Sequence, residues 1–312
     1  MQTPVATGST TARDALFVAL GLVTIGFLVV IIRALRARAA EGEKLTTPPS
    51  IWGVSFIANF FDTFGVGSFA TTTTMFRQWR LVRDEQIPGT LNIGYVLPTV
   101  AQAYIYTKIV PVDSKTLIAL ILAAVAGAWL GAGVVASWPR RKVQIGMGLC
   151  LVAFAIIRVF MNLNLTPVGG DALGLSGTLL VVGILGNFAL GALMTLGIGL
   201  YAPCMILVGL LGMNATTAFP IMMGSCAFLM PLASVRFVRA RSYDARAMIG
   251  MLVAGLPAVL IAALIVKTMP VSAVQWLVVV VVTYTAIGLL RAARREQNIA
   301  AAATAAEAQP AL

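Results

Sequence analysis

Apolar residues run along this chain in long stretches, from near residue 14 to near residue 291, without the two-residue alternation of a half-buried strand. A helix crossing the hydrocarbon core of a bilayer needs about 20 such residues. The pattern predicts spans over 14–35, 88–108, 116–137, 141–161, 216–237, 247–267 and 271–291. That makes an all-α polytopic membrane protein of about seven full transmembrane helices. Two further apolar stretches, 51–76 and 178–212, are each broken by a G-x-G, at Gly65-Val66-Gly67 and Gly197-Ile198-Gly199. Non-helical backbone at membrane depth is tolerated only where protein buries it or a wet cavity solvates it. The breaks therefore predict two re-entrant (broken) helical hairpins in addition to the spans.

Composition agrees. Hydrophobic side chains make up 59% of the 312 residues, charged ones only 11%, and the mean hydropathy is +0.94, which excludes a soluble globular domain. The first apolar segment runs into RALRAR with no small-residue cleavage site, so it reads as a retained helix, and the tail at 292–312 reads as disordered and cytoplasmic. The chain has no histidine and three cysteines, Cys150, Cys204 and Cys226. No disulfide framework or histidine-based metal site follows from that inventory, and no cofactor is called for. The net charge of +11 lies mostly in short segments flanking apolar spans, so topology accounts for it and nucleic acid is not a predicted partner.

The chain also resembles itself. A shift of 132 residues aligns Gly65, Gly67 and Ala70 with Gly197, Gly199 and Ala202, and Pro88 with Pro220. With one residue lost, Asp113 then pairs with Asp244, Lys115 with Arg246, Pro139 with Pro270, and Val143-Gln144 with Val274-Gln275. The expected organisation is an N-terminal helix and linker at 1–50, a first repeat at 51–161, an external linker at 162–177, a second repeat at 178–291 and the tail. If both G-x-G segments turn back, nearly all arginines and lysines fall on one side, leaving Arg13, Lys108, Lys115 and Lys267 opposite and Arg158 at an edge. If both segments cross, the loops with Arg77, Arg80, Arg83 and Arg140 to Lys142 move outside. The positive-inside rule selects the hairpins, with the N-terminus outside and the C-terminus cytoplasmic in a bacterial-type plasma (inner) membrane. Each repeat then crosses three times, so the two copies are inverted, as in secondary transporters.

Past each break a short helix begins, and its free N–H groups and positive dipole end suit an anion. The candidate binding residues in the first copy are Gly65, Gly67, Ser68, Thr71, Thr72 and Thr73, whose hydroxyls donate without fixing a charge in the membrane. In the second copy they are Gly197, Gly199, Tyr201, Pro203 and Cys204, the proline suiting a first helical turn. The plainer reading of the threonines is that each hydroxyl bonds a preceding carbonyl within its own helix. Asn92, Gln102 and Asn187 fall inside apolar spans, where amides often join helices, and Asn92 is the best ligand candidate of the three. Asp62, one turn before the first break, either binds a coupling H⁺ or Na⁺ or caps a helix end. Asp113 and Asp244 read as helix N-caps. Arg77, Arg80 and Arg83 fix topology and raise local anion concentration at the inner mouth.

Three stretches, GVGSFATTTTMF from Gly65, DEQIPGTLNIGYVLPTVAQAYIY from Asp84 and GIGLYAPCMILVGLLGMNATTAFP from Gly197, resemble the sulfite exporter TauE/SafE family. The resemblance covers about residues 50–291. It implies movement, mostly outward, of a small sulfur-containing anion such as sulfite, a sulfonate or sulfoacetate. Many members carry a more glycine-rich run where this chain has GVGS and GIGL, which leaves the substrate open. The expected function is a secondary transporter working by alternating access, with an anion channel of the same architecture, or a carrier of a different small anion, as the alternative. An enzyme is not expected, because catalysis would need a nucleophile with a base or a metal, and the chain offers no histidine and one membrane acid. Membrane lipid is the remaining expected partner, and a homodimer stays open.

Overall fold

The computed structural model describes residues 7–65, 67–130, 170–194 and 199–268, with scattered positions in 145–163 and 273–297. The first helices are α1 (Thr7–Ala40), α2 (Pro49–Asp62), α3 (Ser68–Gln78), α4 (Ile87–Gly94), α5 (Val96–Ile109) and α6 (Ser114–Leu130). They are followed by α7 (Gly177–Met194), α8 (Tyr201–Leu210), α9 (Ala218–Arg239) and α10 (Ala245–Thr268). Short 3₁₀ turns at Asp84–Gln86 and Ala215–Thr217 precede α4 and α9. Among the described residues every regular element is helical, and a single bridge pairs Ala172 with Met213. Among the described residues four helices, α1, α7, α9 and α10, are long and apolar enough to cross a membrane. The segments predicted at 141–161, 271–291 and 292–312 lie largely outside the described residues, and Gly197, Cys150 and Arg140 to Lys142 lie wholly outside them.

Two expectations are corrected. The helix expected at 14–35 extends in α1 from Thr7 to Ala40, well past the apolar run at both ends. The span expected at 88–108 is divided at Tyr95 into α4 and α5. Pro98 is the physical reason, since it cannot donate to the Gly94 carbonyl and its ring crowds that oxygen. Regular bonding resumes at once, with Thr99 N donating to Tyr95 O at 2.9 Å.

Counting α4 and α5 as one divided helix, the order helix, break, short helix, 3₁₀ turn, helix, helix occurs twice, as α2 to α6 and as α7 to α10. Packing follows the same exchange. The first arm of each repeat lies on the last described helix of the other, α2 on α10 and α7 on α6, while α5 crosses α9 at the centre. There the Tyr106 and Phe219 rings stack at 5.0 Å. In α9 78% of the apolar window is buried, against 17% in α1, so α9 is the core and α1 turns most of its surface to the membrane.

The helix starts are fixed by side chains. Asp113 Oδ2 accepts from Thr116 N at 2.8 Å and Asp244 Oδ1 from Ala247 N at 3.0 Å, so both aspartates cap their helices. Threonines then pin the first repeat to the start of α10 and to the segment ahead of α7. Thr90 Oγ1 accepts from Asp244 N at 2.9 Å, and Thr116 Oγ1 accepts from Leu175 N at 2.8 Å. Where α6 meets α7, a Cβ on Gly127 would overlap the Phe188 backbone and one on Gly191 the Ala124 backbone, so the two helices touch main chain to main chain.

Candidate functional site

The first break is built by two glycines. Helix α2 stops at Asp62, Gly65 and Gly67 adopt φ of 86° and 76°, and α3 begins at Ser68. Side chains with a Cβ avoid that region, so the chain can turn there only through glycine. Gly67, as N-cap, brings no side chain to the new helix end. Asp62 supplies one from six residues back, its Oδ1 accepting from Ser68 N at 2.8 Å. In the second repeat Gly199 and Leu200 immediately precede Tyr201, the first residue of α8.

The two breaks face one small cavity of about 10 Å³. Asp62, Gly67 and Ser68 line it from the first repeat, and Gly199, Leu200 and Tyr201 from the second. Tyr95, Thr99, Met194, Cys226, Phe69 and Met230 complete the wall. Gln102 joins the halves. Its Nε2 donates to Asp62 Oδ2 at 3.2 Å and Thr63 Oγ1 at 3.1 Å, and its Oε1 accepts from Tyr201 OH at 2.7 Å. A hydrogen-bonded chain thus runs from the second break through Gln102 and Asp62 to the N-terminus of α3. Asp62 is 3% exposed, and among the described residues no lysine or arginine pairs with it. The carboxylate is held by dipoles alone.

Five of the candidate binding and coupling residues meet here: Asp62, Gly67, Ser68, Gly199 and Tyr201. Gly65 packs behind them, close to Met205, Met222 and Phe219. The threonines do not line the cavity together, because successive residues on α3 point about 100° apart. Thr72 is buried and bonds the Tyr95 hydroxyl, Thr71 and Thr73 are half-buried, and Thr71 Oγ1 lies 3.4 Å from the Tyr284 hydroxyl. Asn92 is also elsewhere, its Nδ2 donating to Pro88 O at 2.9 Å. Asn187 joins helices as expected, reaching Leu120 O at 2.7 Å and Ser225 Oγ at 3.0 Å. Pro203 and Cys204 are buried in the first turn of α8 outside the cavity wall, whereas Cys226 is in it, with its Sγ 3.5 Å from Met194 Sδ. The N–H expected to be free at the start of α3 is taken by the chain's own carboxylate.

Tyr95 and Thr99 are the residues that sequence reasoning missed, and Gln102, read there as an amide that joins helices, does join the two halves. A signal was present: Tyr95, Thr99, Gln102 and Tyr106 recur at four-, three- and four-residue steps, one face of a helix, within an otherwise apolar span. All four are buried, and Tyr106 OH donates to Thr63 O at 2.8 Å, at the end of α2.

A cavity of this volume holds about one water-sized particle. A proton or a desolvated ion fits without rearrangement, and a larger anion requires the two breaks to part. Compared with family models, with curated proteins and with solved structures, the chain matches none.

Proposed function

We propose that this chain is a secondary transporter of the TauE/SafE type that carries a small sulfur-containing oxyanion, such as sulfite, a sulfonate or sulfoacetate, outward across a bacterial-type inner membrane. The observation that carries the reading is the meeting of two helix breaks, one from each repeat, at a single small cavity whose mostly apolar wall holds Asp62. Reciprocal packing of α2 on α10 and α7 on α6 supports an inverted repeat, in which exchanging the roles of the halves opens the cavity to alternate sides. The positive-inside rule supports hairpins, and α2, at 14 residues, is too short to span; α7, at 18, is long enough to cross, so the second hairpin rests on the charge distribution alone.

Asp62 gives the cycle its logic. Its carboxylate sits on the donor that an incoming oxyanion would use, so carboxylate and substrate compete for the start of α3. Protonation of Asp62 weakens its hold on Ser68 N and vacates that end for the substrate, which couples anion movement to H⁺. Na⁺ is the other candidate coupling ion. The small volume of the cavity favours a carrier over a channel, since a channel presents a continuous path.

The test is flux in liposomes reconstituted with the purified protein, following sulfite, thiosulfate, sulfoacetate, sulfate and chloride with and without pH or Na⁺ gradients. Saturable flux of one sulfur oxyanion that responds to the pH gradient is expected, and Asp62→Asn should lose that response. Flux linear in concentration would replace the carrier with a channel, and no flux of any sulfur anion would overturn the substrate class.

A further inference from the structure

A second cavity lies far along the chain from the breaks, where α1 ends and α10 begins. It is an open cleft of about 410 Å³, within the range of sites for small molecules. Four cations line it: Arg38 from the last turn of α1, Lys44 from the linker, Arg83 ahead of α4, and Arg246 from the first turn of α10. Two carboxylates are present and both are already engaged. Arg38 Nη1 donates to Glu43 at 2.9 and 3.0 Å, and Asp244 caps α10 while its Oδ2 lies 3.4 Å from Arg246 Nη2. Lys44 and Arg83 pair with no described carboxylate, so the cavity keeps an excess of two positive charges.

Arg38 marks the site most sharply. It is 9% exposed, its guanidinium lies 4.3 Å over the centre of the buried Tyr243 ring, and its Nε is buried without a partner. A buried guanidinium N–H without an acceptor is uncommon and calls for a ligand oxygen. Three guanidinium groups and one ammonium around an aperture match the several oxygens of a phosphate group better than one carboxylate. The volume exceeds that of a bare phosphate, leaving room for the group that bears it. α1 presents Val18, Leu22, Ile25, Val29 and Ile32 outward along the helix that ends here, which sets the cavity at headgroup level.

We infer that this cavity binds a phosphate-bearing anion, supplied by a phospholipid headgroup or by a soluble phosphate compound, that ties α1, the start of α4 and the start of α10 together. The inference stands on this cluster alone and does not depend on which anion is transported.

The full chain in phosphatidylcholine nanodiscs should gain thermal stability from inorganic phosphate if the source is soluble. In nanodiscs with added phosphatidylglycerol it should instead retain that lipid through mild delipidation, read by native mass spectrometry. In either arm Lys44→Gln with Arg83→Gln, both exposed residues, should weaken binding about ten-fold. The equally charged control Arg236→Gln with Arg239→Gln, outside the cavity, should leave it unchanged. Binding that responds equally to both pairs, that ignores the first pair, or that is missing from both arms would overturn the assignment.

Discussion

At the residue scale the first break turns on Gly67. A Cβ placed there meets nothing within 4 Å, so Gly67→Ala tests backbone conformation without adding a clash. Its φ of 76° should make the substitution cost about 1 to 2 kcal/mol. Thermal or denaturant unfolding in detergent should show that loss, together with reduced flux as the start of α3 shifts from Asp62. Unchanged stability and transport would mean that the break is not held in this geometry. Gly65 differs, because a Cβ there approaches the Met205 and Met222 methyls at 3.1 and 3.3 Å. That close fit of break to core is visible only in three dimensions, whereas the need for glycine at both positions is legible in the G-x-G itself.

At the element scale the seam between α6 and α7 depends on small residues. Gly191→Leu should push the two backbones apart and cost at least about 1 to 3 kcal/mol by overpacking. Gly53→Ala, on α2 with open space around it, should instead stabilise by up to about 1 kcal/mol, since it only removes a helix-interior glycine. Equal effects of the two in an unfolding assay would reject the close seam. Much of this level was legible beforehand. The first break, through its glycines, and the aspartate caps follow from residues whose backbone or capping chemistry is specific. The inward face of α3 was not, because four adjacent threonines give no helical phase: Thr72 is buried and Thr74 exposed. Nor was the division at Tyr95, since apolar length alone does not show where one proline interrupts a span.

At the scale of the whole molecule, Cys226 reports on the cavity from inside. It is 1% exposed yet lines the wall beside both breaks, so any opening to one side should uncover it. In a Cys150→Ser, Cys204→Ser background, a membrane-impermeant thiol reagent should label Cys226 slowly in the resting protein, and sulfite should change that rate. Rapid labelling without substrate would show that the closed arrangement is not the resting one. The reciprocal packing of the repeats carries a different consequence, for how the chain is made. Helix α2 carries the buried Asn59 and Asp62, yet its main partner, α10, begins about 180 residues further along. At ordinary rates of synthesis that is on the order of ten to forty seconds. During that wait the polar face of α2 stands against lipid or the insertion machinery, so a nascent chain cut short before α10 is a substrate for quality control and not a working half.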